Sequence, residues 1–256
     1  MKLWPVGIGH TRTQSPIRST LFTLLTASTA LVLPTITGAS ASPPSIPASQ
    51  RHFRLGHPAA HLNKDTSSSH STAMSLPSQN QAFEGFSQHP SVEPSKETAQ
   101  LIRDAMDLFS AKPSPSIFAR SWSPNAIFAD PICHAEASRQ YLAQWYGMPA
   151  AFSHSETLEW KLIKQEPALV EYVQKQRYKV KGLGLTKDMV STVVMQRNPQ
   201  SGKITRFEDR WNHKPLGGVL GWPFRRLNAL TLPLLVGVPK EAKSALGEGA
   251  AGGKDL

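Results

Sequence analysis

Phe128-Ala-Asp-Pro-Ile-Cys-His-Ala-Glu-Ala-Ser-Arg-Gln-Tyr-Leu-Ala-Gln-Trp-Tyr146 is the stretch where the chain passes from strand to helix. Ser123-Pro-Asn125 is a turn cluster and Ala126-Ile-Phe128 a short apolar strand. Asp130-Pro131 ends that strand, because proline lacks a ladder amide and restricts the residue before it. From Ala135 onward Tyr141, Leu142, Trp145 and Met148 recur at three- and four-residue spacing, which predicts a helix with one aromatic stripe. Gly147 and Pro149 are expected to stop it.

Upstream, Ser95 is a predicted N-cap, Glu97 sits in the positive first turn, and Leu101, Ile102, Ala105, Met106, Leu108 and Phe109 make one apolar face. Ser114-Pro115 starts a short second helix that turns Ile117, Phe118 and Trp122 inward. Downstream the period changes from 3.6 to 2 for about sixty residues. Leu158, Trp160 and Leu162 alternate with Glu159 and Lys161. Val170, Tyr172, Gln174, Gln176, Tyr178 and Val180 share a face opposite Glu171, Lys175, Arg177, Lys179 and Lys181. A third strand runs near Met189 to Gln196, and a fourth, Ile204 to Asn212, places Phe207, Asp209 and Trp211 on one side and Arg206, Glu208 and Arg210 on the other. Helices followed by a meander predict a segregated α+β layout: a curved antiparallel sheet wrapped around three N-terminal helices.

Residues 1–91 have no sustained period and hold six of the 28 Lys and Arg and two of the 18 acids. They read as leader and disordered linker. Arg12 and Arg18 precede the uncharged run Leu21 to Leu33, and Ala39-Ser-Ala41 has the form of a signal-peptidase site. The absence of acids before Asp65 equally suits a mitochondrial transit segment. The uncharged window Ser19 to Gly38 is too diluted by Ser, Thr and Pro34 for a good spanning helix. A lone cysteine and no Asn-x-Ser/Thr acceptor favour an intracellular address, mitochondrial or cytoplasmic, over secretion. Met74 stands just ahead of the folded region as an alternative start.

The net charge of +10 falls to +6 over residues 92–256, with basic and acidic residues interleaved, so no nucleic-acid footprint is expected. The remaining division is a folded region at 92–215, an apolar extension at 216–245 that packs on the barrel or a partner, and a disordered tail at 246–256. Within the extension, Leu227, Leu230, Leu232, Leu234 and Leu235 are expected to cover the barrel's open end or a partner. Membrane contact is not expected beyond an N-terminal targeting segment.

The element order, with Trp122-Ser-Pro-Asn-Ala-Ile-Phe-Ala-Asp-Pro131 and Gly202-Lys-Ile-Thr-Arg-Phe-Glu-Asp-Arg-Trp211, resembles the SnoaL-like branch of the nuclear transport factor 2-like superfamily over about residues 93–215. The resemblance implies a cone-shaped barrel with a pocket between sheet and helices. It admits three roles: a binder of a small apolar or amphipathic molecule, an isomerase, cyclase or dehydratase, and a module that dimerises through its sheet. Fold alone does not choose among them.

The catalytic candidates are Asp209, Asp130 and His134. Asp209, between Phe207 and Trp211, needs a cationic partner such as Arg120 or Arg139, or a raised pKa. Asp130 is equally suited to capping the following turn, and His134 to a surface or turn position. Tyr141, Trp145, Tyr146, Trp160, Tyr172, Gln174, Gln176 and Trp211 are the candidate ligand-lining residues, the two glutamines because an amide in a dry core is costly without partners. No metal-ligand spacing and no nucleotide-binding loop occur, so no cofactor is expected. Cys133 beside His134 is not read as a nucleophile.

Overall fold

The computed structural model describes residues 75–218 and 221–247. The targeting signals, the window at 19–38 and the tail from 248 lie outside the described residues.

Helix α1 spans Lys96–Phe109, and the Thr98 amide donates to the Ser95 side chain at 3.2 Å, so the predicted cap forms. Helix α2, Pro115–Ser121, buries Ile117 and Phe118. Trp122, expected at its end, instead opens strand β1, Trp122–Ala129, and is fully buried. Asp130 closes a tight turn by accepting from the Ile132 and Cys133 amides at 2.8 and 2.5 Å. That turn folds His134–Glu136 back onto β1 as strand β2.

Helix α3 therefore starts at Ser138 rather than near Ala135, and it runs to Ala151 through both Gly147 and Pro149. A proline this near the helix end removes a single backbone bond, and Gly147 leaves room for Val236 and Leu232 to pack at 3.5 and 3.9 Å from where a Cβ would stand. Ala137, just ahead of α3, has φ 61° and ψ 166°, a region that suits glycine. Ala137→Gly is expected to stabilise the fold by about 1 kcal/mol in a denaturant titration.

Strands β3 (Phe152–Glu166), β4 (Leu169–Val180), β5 (Thr186–Arg197) and β6 (Ile204–Trp211) complete one sheet of order β2-β1-β6-β5-β4-β3. The fold is α+β as read from the periods, but the sheet is mixed: β1 runs parallel to β6 while the other pairs are antiparallel. Three register shifts in β3 bend that strand. On the inner face Trp122 stacks on Phe207 at 5.4 Å, and Trp145 meets Phe109, Phe128 and Phe207 at 5.1–5.7 Å. Offset and edge-on aromatic contacts of this kind add to the burial of large apolar areas.

The packed region begins ahead of residue 92, correcting that boundary. Residues 76–92 form a strap along β3 and over the outer face of the sheet. The Asn80 amide donates to Trp160 O, the Trp160 indole to Pro77 O, and the Leu162 amide to Gln79 Oε1, so the strap satisfies the open edge of β3. Phe83 is buried, while Phe86 packs on His213 at 4.9 Å. Lys161, read as a solvated outer residue, is buried beneath the strap, its Nζ donating to the carbonyls of Gln81, Phe86 and His89 at 2.9, 3.0 and 3.0 Å. The strap lacks the regular period that reveals helices and strands, which is why it reads as linker.

After β6, helix α4 (Trp222–Leu235) packs on α3 and β2, and a short α5 (Lys240–Ser244) on α2 and α3. Of the five leucines expected to cover the barrel or a partner, only Leu232 is buried; Leu227, Leu230 and Leu234 are exposed.

Candidate functional site

Cross-strand register sorts the sheet residues between faces. Leu162, Tyr172, Val193 and Asp209 form one inner row, with Trp160, Gln174, Ser191 and Trp211 in the next. The parallel pair aligns Phe128 with Phe207 and Ala129 with Glu208, so Asp130 follows on β1 where Asp209 follows on β6. Two carboxylates thus sit side by side at the inner end of the parallel pair, and both are buried.

Among the described residues Asp209 has no arginine partner. Arg120 is instead bound to Asp104, which also accepts from Gln100 and Ser121. The Trp211 indole donates to Asp209 Oδ2 at 2.8 Å, yet burial outweighs the lowering influence of Ser191 and Trp211 and pushes the pKa up to about 6. Burial, followed by the negative charge of Asp209, pushes Asp130 up to about 7, against the two turn amides and the Arg225 guanidinium. Burial and then Asp209 also push the Tyr172 hydroxyl well up, and burial with Asp209 and Asp130 does the same to Tyr178. Like charges in one dry region resist joint ionisation, so the two carboxyls titrate as a coupled pair close to neutrality.

Three buried polar atoms in this cluster have no hydrogen-bond partner among the described residues: Asp209 Oδ1, Gln174 Nε2 and Arg225 Nη2. The other end of the Gln174 amide accepts from the Tyr172 hydroxyl at 3.3 Å. Gln176 is different, because Thr157, Ser155 and the Phe109 carbonyl at the end of α1 bind both ends of its amide. Its role is to join sheet to helix, a correction to its place among the ligand-lining residues.

Other sequence candidates lie elsewhere. Register pairs His134 with Ala129 and Ala129 with Glu208, which puts His134 on the face opposite Asp209. There burial and Arg225 lower its pKa while Glu136, 3.3 Å away, raises it. Tyr141 donates to Ser123 O at 3.0 Å and packs on Trp122; Trp145 is enclosed by aromatic rings, and the Trp160 indole serves the strap. Tyr146 is half-buried against Phe118, and burial and Glu241 raise its hydroxyl pKa. Trp211 does reach the cluster, through Asp209. Cys133 is buried and its thiol is pushed well up by burial and by Asp130, the reverse of what a nucleophile needs.

Sequence reasoning left out Tyr178, Ser191 and Arg225. Tyr178 had the right alternation. Ser191 carries no signal of its own. Arg225 comes from α4, where it donates to Cys133 O at 3.3 Å and its charge reaches Asp130. On the outer face burial alone would raise Glu208, but hydrogen bonds from Arg206 and Arg210 win and hold it below the usual range.

A cleft of about 340 Å³ lies away from this cluster, bordered by Ser95, Glu97, Thr98, Gln165, Arg197 and Gly202 among others. Glu97 and Arg197 pair within it at 3.1 Å. The carboxylate pair lies outside that lining. Among the described residues no group of three or more His, Cys, Asp or Glu stands together as a metal site.

No family model matches the chain, and no curated protein matches it. Solved structures do. A SnoaL-like isomerase candidate from Agrobacterium tumefaciens is 11% identical, with 46% of this chain and 100% of that one covered at a TM-score of 0.37. A SnoaL-like polyketide cyclase candidate from Shewanella putrefaciens is 10% identical, covering 47% and 82% at 0.40. A nuclear transport factor 2-like protein of unknown function from Exiguobacterium is 14% identical, covering 44% and 99% at 0.37. These neighbours bear the family names that the sequence resemblance carries.

Proposed function

We propose that the interior of the barrel binds a small amphipathic molecule whose polar end meets Asp209 and Gln174 and whose apolar part lies among the aromatic side chains. One observation carries this reading: Asp209 Oδ1, an acceptor, and Gln174 Nε2, a donor, stand buried and unpartnered on neighbouring inner rows. Buried polar groups are nearly always paired, so an unpaired donor and acceptor together favour a ligand with complementary atoms. Native-state mass spectrometry of the purified chain is expected to show a bound small molecule that the Gln174→Leu variant no longer retains. An identical adduct in that variant would count against the site.

A second reading is an isomerase, cyclase or dehydratase type of proton transfer, supported by carboxyls at about 6 and about 7 in one dry cluster. One of the pair can accept a proton while its neighbour still holds one. Under this reading Asp209→Asn keeps the ligand and loses turnover. Dimerisation through the sheet has less free surface than the alternation implied, because the strap already covers part of the outer face.

A further inference from the structure

Helix α4 turns Ala229 and Leu232 inward together with three polar residues: Arg225 donates to Cys133 O, Arg226 to His134 O and Gln140 Oε1 at 2.8 Å, and Asn228 to Ile132 O at 3.0 Å. These bonds fix the rotation of the helix about its axis. Its large apolar residues are left outward: Trp222, Phe224, Leu227, Leu230 and Leu234 are between 49% and 73% exposed. Such a patch on a well-packed domain marks a surface that meets something apolar.

Charge indicates what that is. From Arg210 to Lys240 no acidic residue occurs, and Lys214 and Lys240, both exposed, lie beyond the two ends of the helix. A second apolar tip has the same character: Leu183 and Leu185, exposed in the β4–β5 hairpin, lie between Lys181 and Lys187 with no acid among them. Hairpin and helix border one place, the C-terminal end of α3. The Lys181 amide donates to Ala151 O at 2.9 Å, and Gly147 packs on Leu232 and Val236.

We propose that this face of α4 rests on an anionic lipid surface, its leucines at the headgroup boundary, Trp222 and Phe224 as interfacial anchors and the lysines against lipid charge. A 14-residue helix is about 21 Å long, short of a hydrocarbon core of about 30 Å, so it lies in the interface rather than across it. Among the described residues no helix is long and apolar enough to cross a membrane. Arg225 and Arg226 are bound to backbone carbonyls, Gln140 and Glu136 of the protein itself.

Flotation of the full chain with phosphatidylcholine vesicles, with and without phosphatidylserine, tests this. Binding is expected to require the anionic lipid, to weaken with salt, and to fall by at least about tenfold when Leu227, Leu230 and Leu234 are all changed to Asp. Those leucines are exposed, so the variant should melt as the parent does. Brominated lipids read the same contact in the parent chain: tryptophan quenching is expected, and Trp222→Phe should diminish it. No vesicle binding, or binding and quenching unaffected by these changes, overturns the proposal. A dimer that the triple change converts to monomer without any lipid binding also overturns it and assigns the face to a second copy.

Discussion

Lys161→Met is expected to lower stability by about 3 kcal/mol: it strands the three carbonyls that converge on the ammonium, and the loss of charged hydrogen bonds worth about 1.5–3 kcal/mol each is partly offset because no ammonium has to be desolvated in the variant. Methionine keeps the length of the stem and most of its apolar contact, so the lost donors dominate the effect. For a domain of this size the midpoint of thermal unfolding should fall by roughly 6–12 °C. Lys175→Met, on the same face but partly exposed in a 3.7 Å pair with Glu159, should change the midpoint by little. Equal melting of the two variants would show that the strap is not seated on the sheet. The same observations assign residues 76–92 to the folded unit.

Asp209→Asn is expected to stabilise the protein in mild alkali, by about 2 kcal/mol near pH 8, and to lose that advantage near pH 4. The folded pKa of about 6 lies above the ordinary value of 3.8. The folded state therefore binds this proton more tightly than the unfolded chain does. Its stabilising contribution is complete below about pH 4 and is lost as pH rises through about 6. The same sign holds for Asp130, with loss continuing through about 7. An ionised buried Asp209 costs about 3 kcal/mol on this scale, and the amide that replaces it gives back about 1 kcal/mol as an unpaired donor. Removing the charge also relieves Asp130. Melting of parent and variant at several pH values checks the crossing, and a variant less stable at every pH would show a cationic partner for Asp209. The sequence-based expectation of a buried Arg pair implied that opposite result, and the geometry overturns it because Arg120 is bound to Asp104.

Local pattern alone reached α1 with its Ser95 cap, α2, the inner faces of β4 and β6, and the burial of Asp209 beside Phe207. Each follows from side-chain direction along one element, which repeats every 3.6 or 2 residues and leaves its trace in the order of apolar residues. It also named Asp130 and Asp209 as separate candidates. Other features depended on distant partners. That β1 lies parallel to β6, which sets the two carboxylates together, depends on pairing between residues about eighty positions apart. Gln174 and Gln176 look alike in the alternation, and only Thr157, Ser155 and the end of α1 separate the fully bonded amide from the one whose nitrogen is unpartnered. The strap is aperiodic because its own bonds make only successive turns, and its other bonds run to an edge strand and a lysine. The arginines of α4 point inward because carbonyls of a turn more than ninety residues earlier await them. Periodicity records which way a side chain faces; what it meets there is decided by segments the local sequence does not contain.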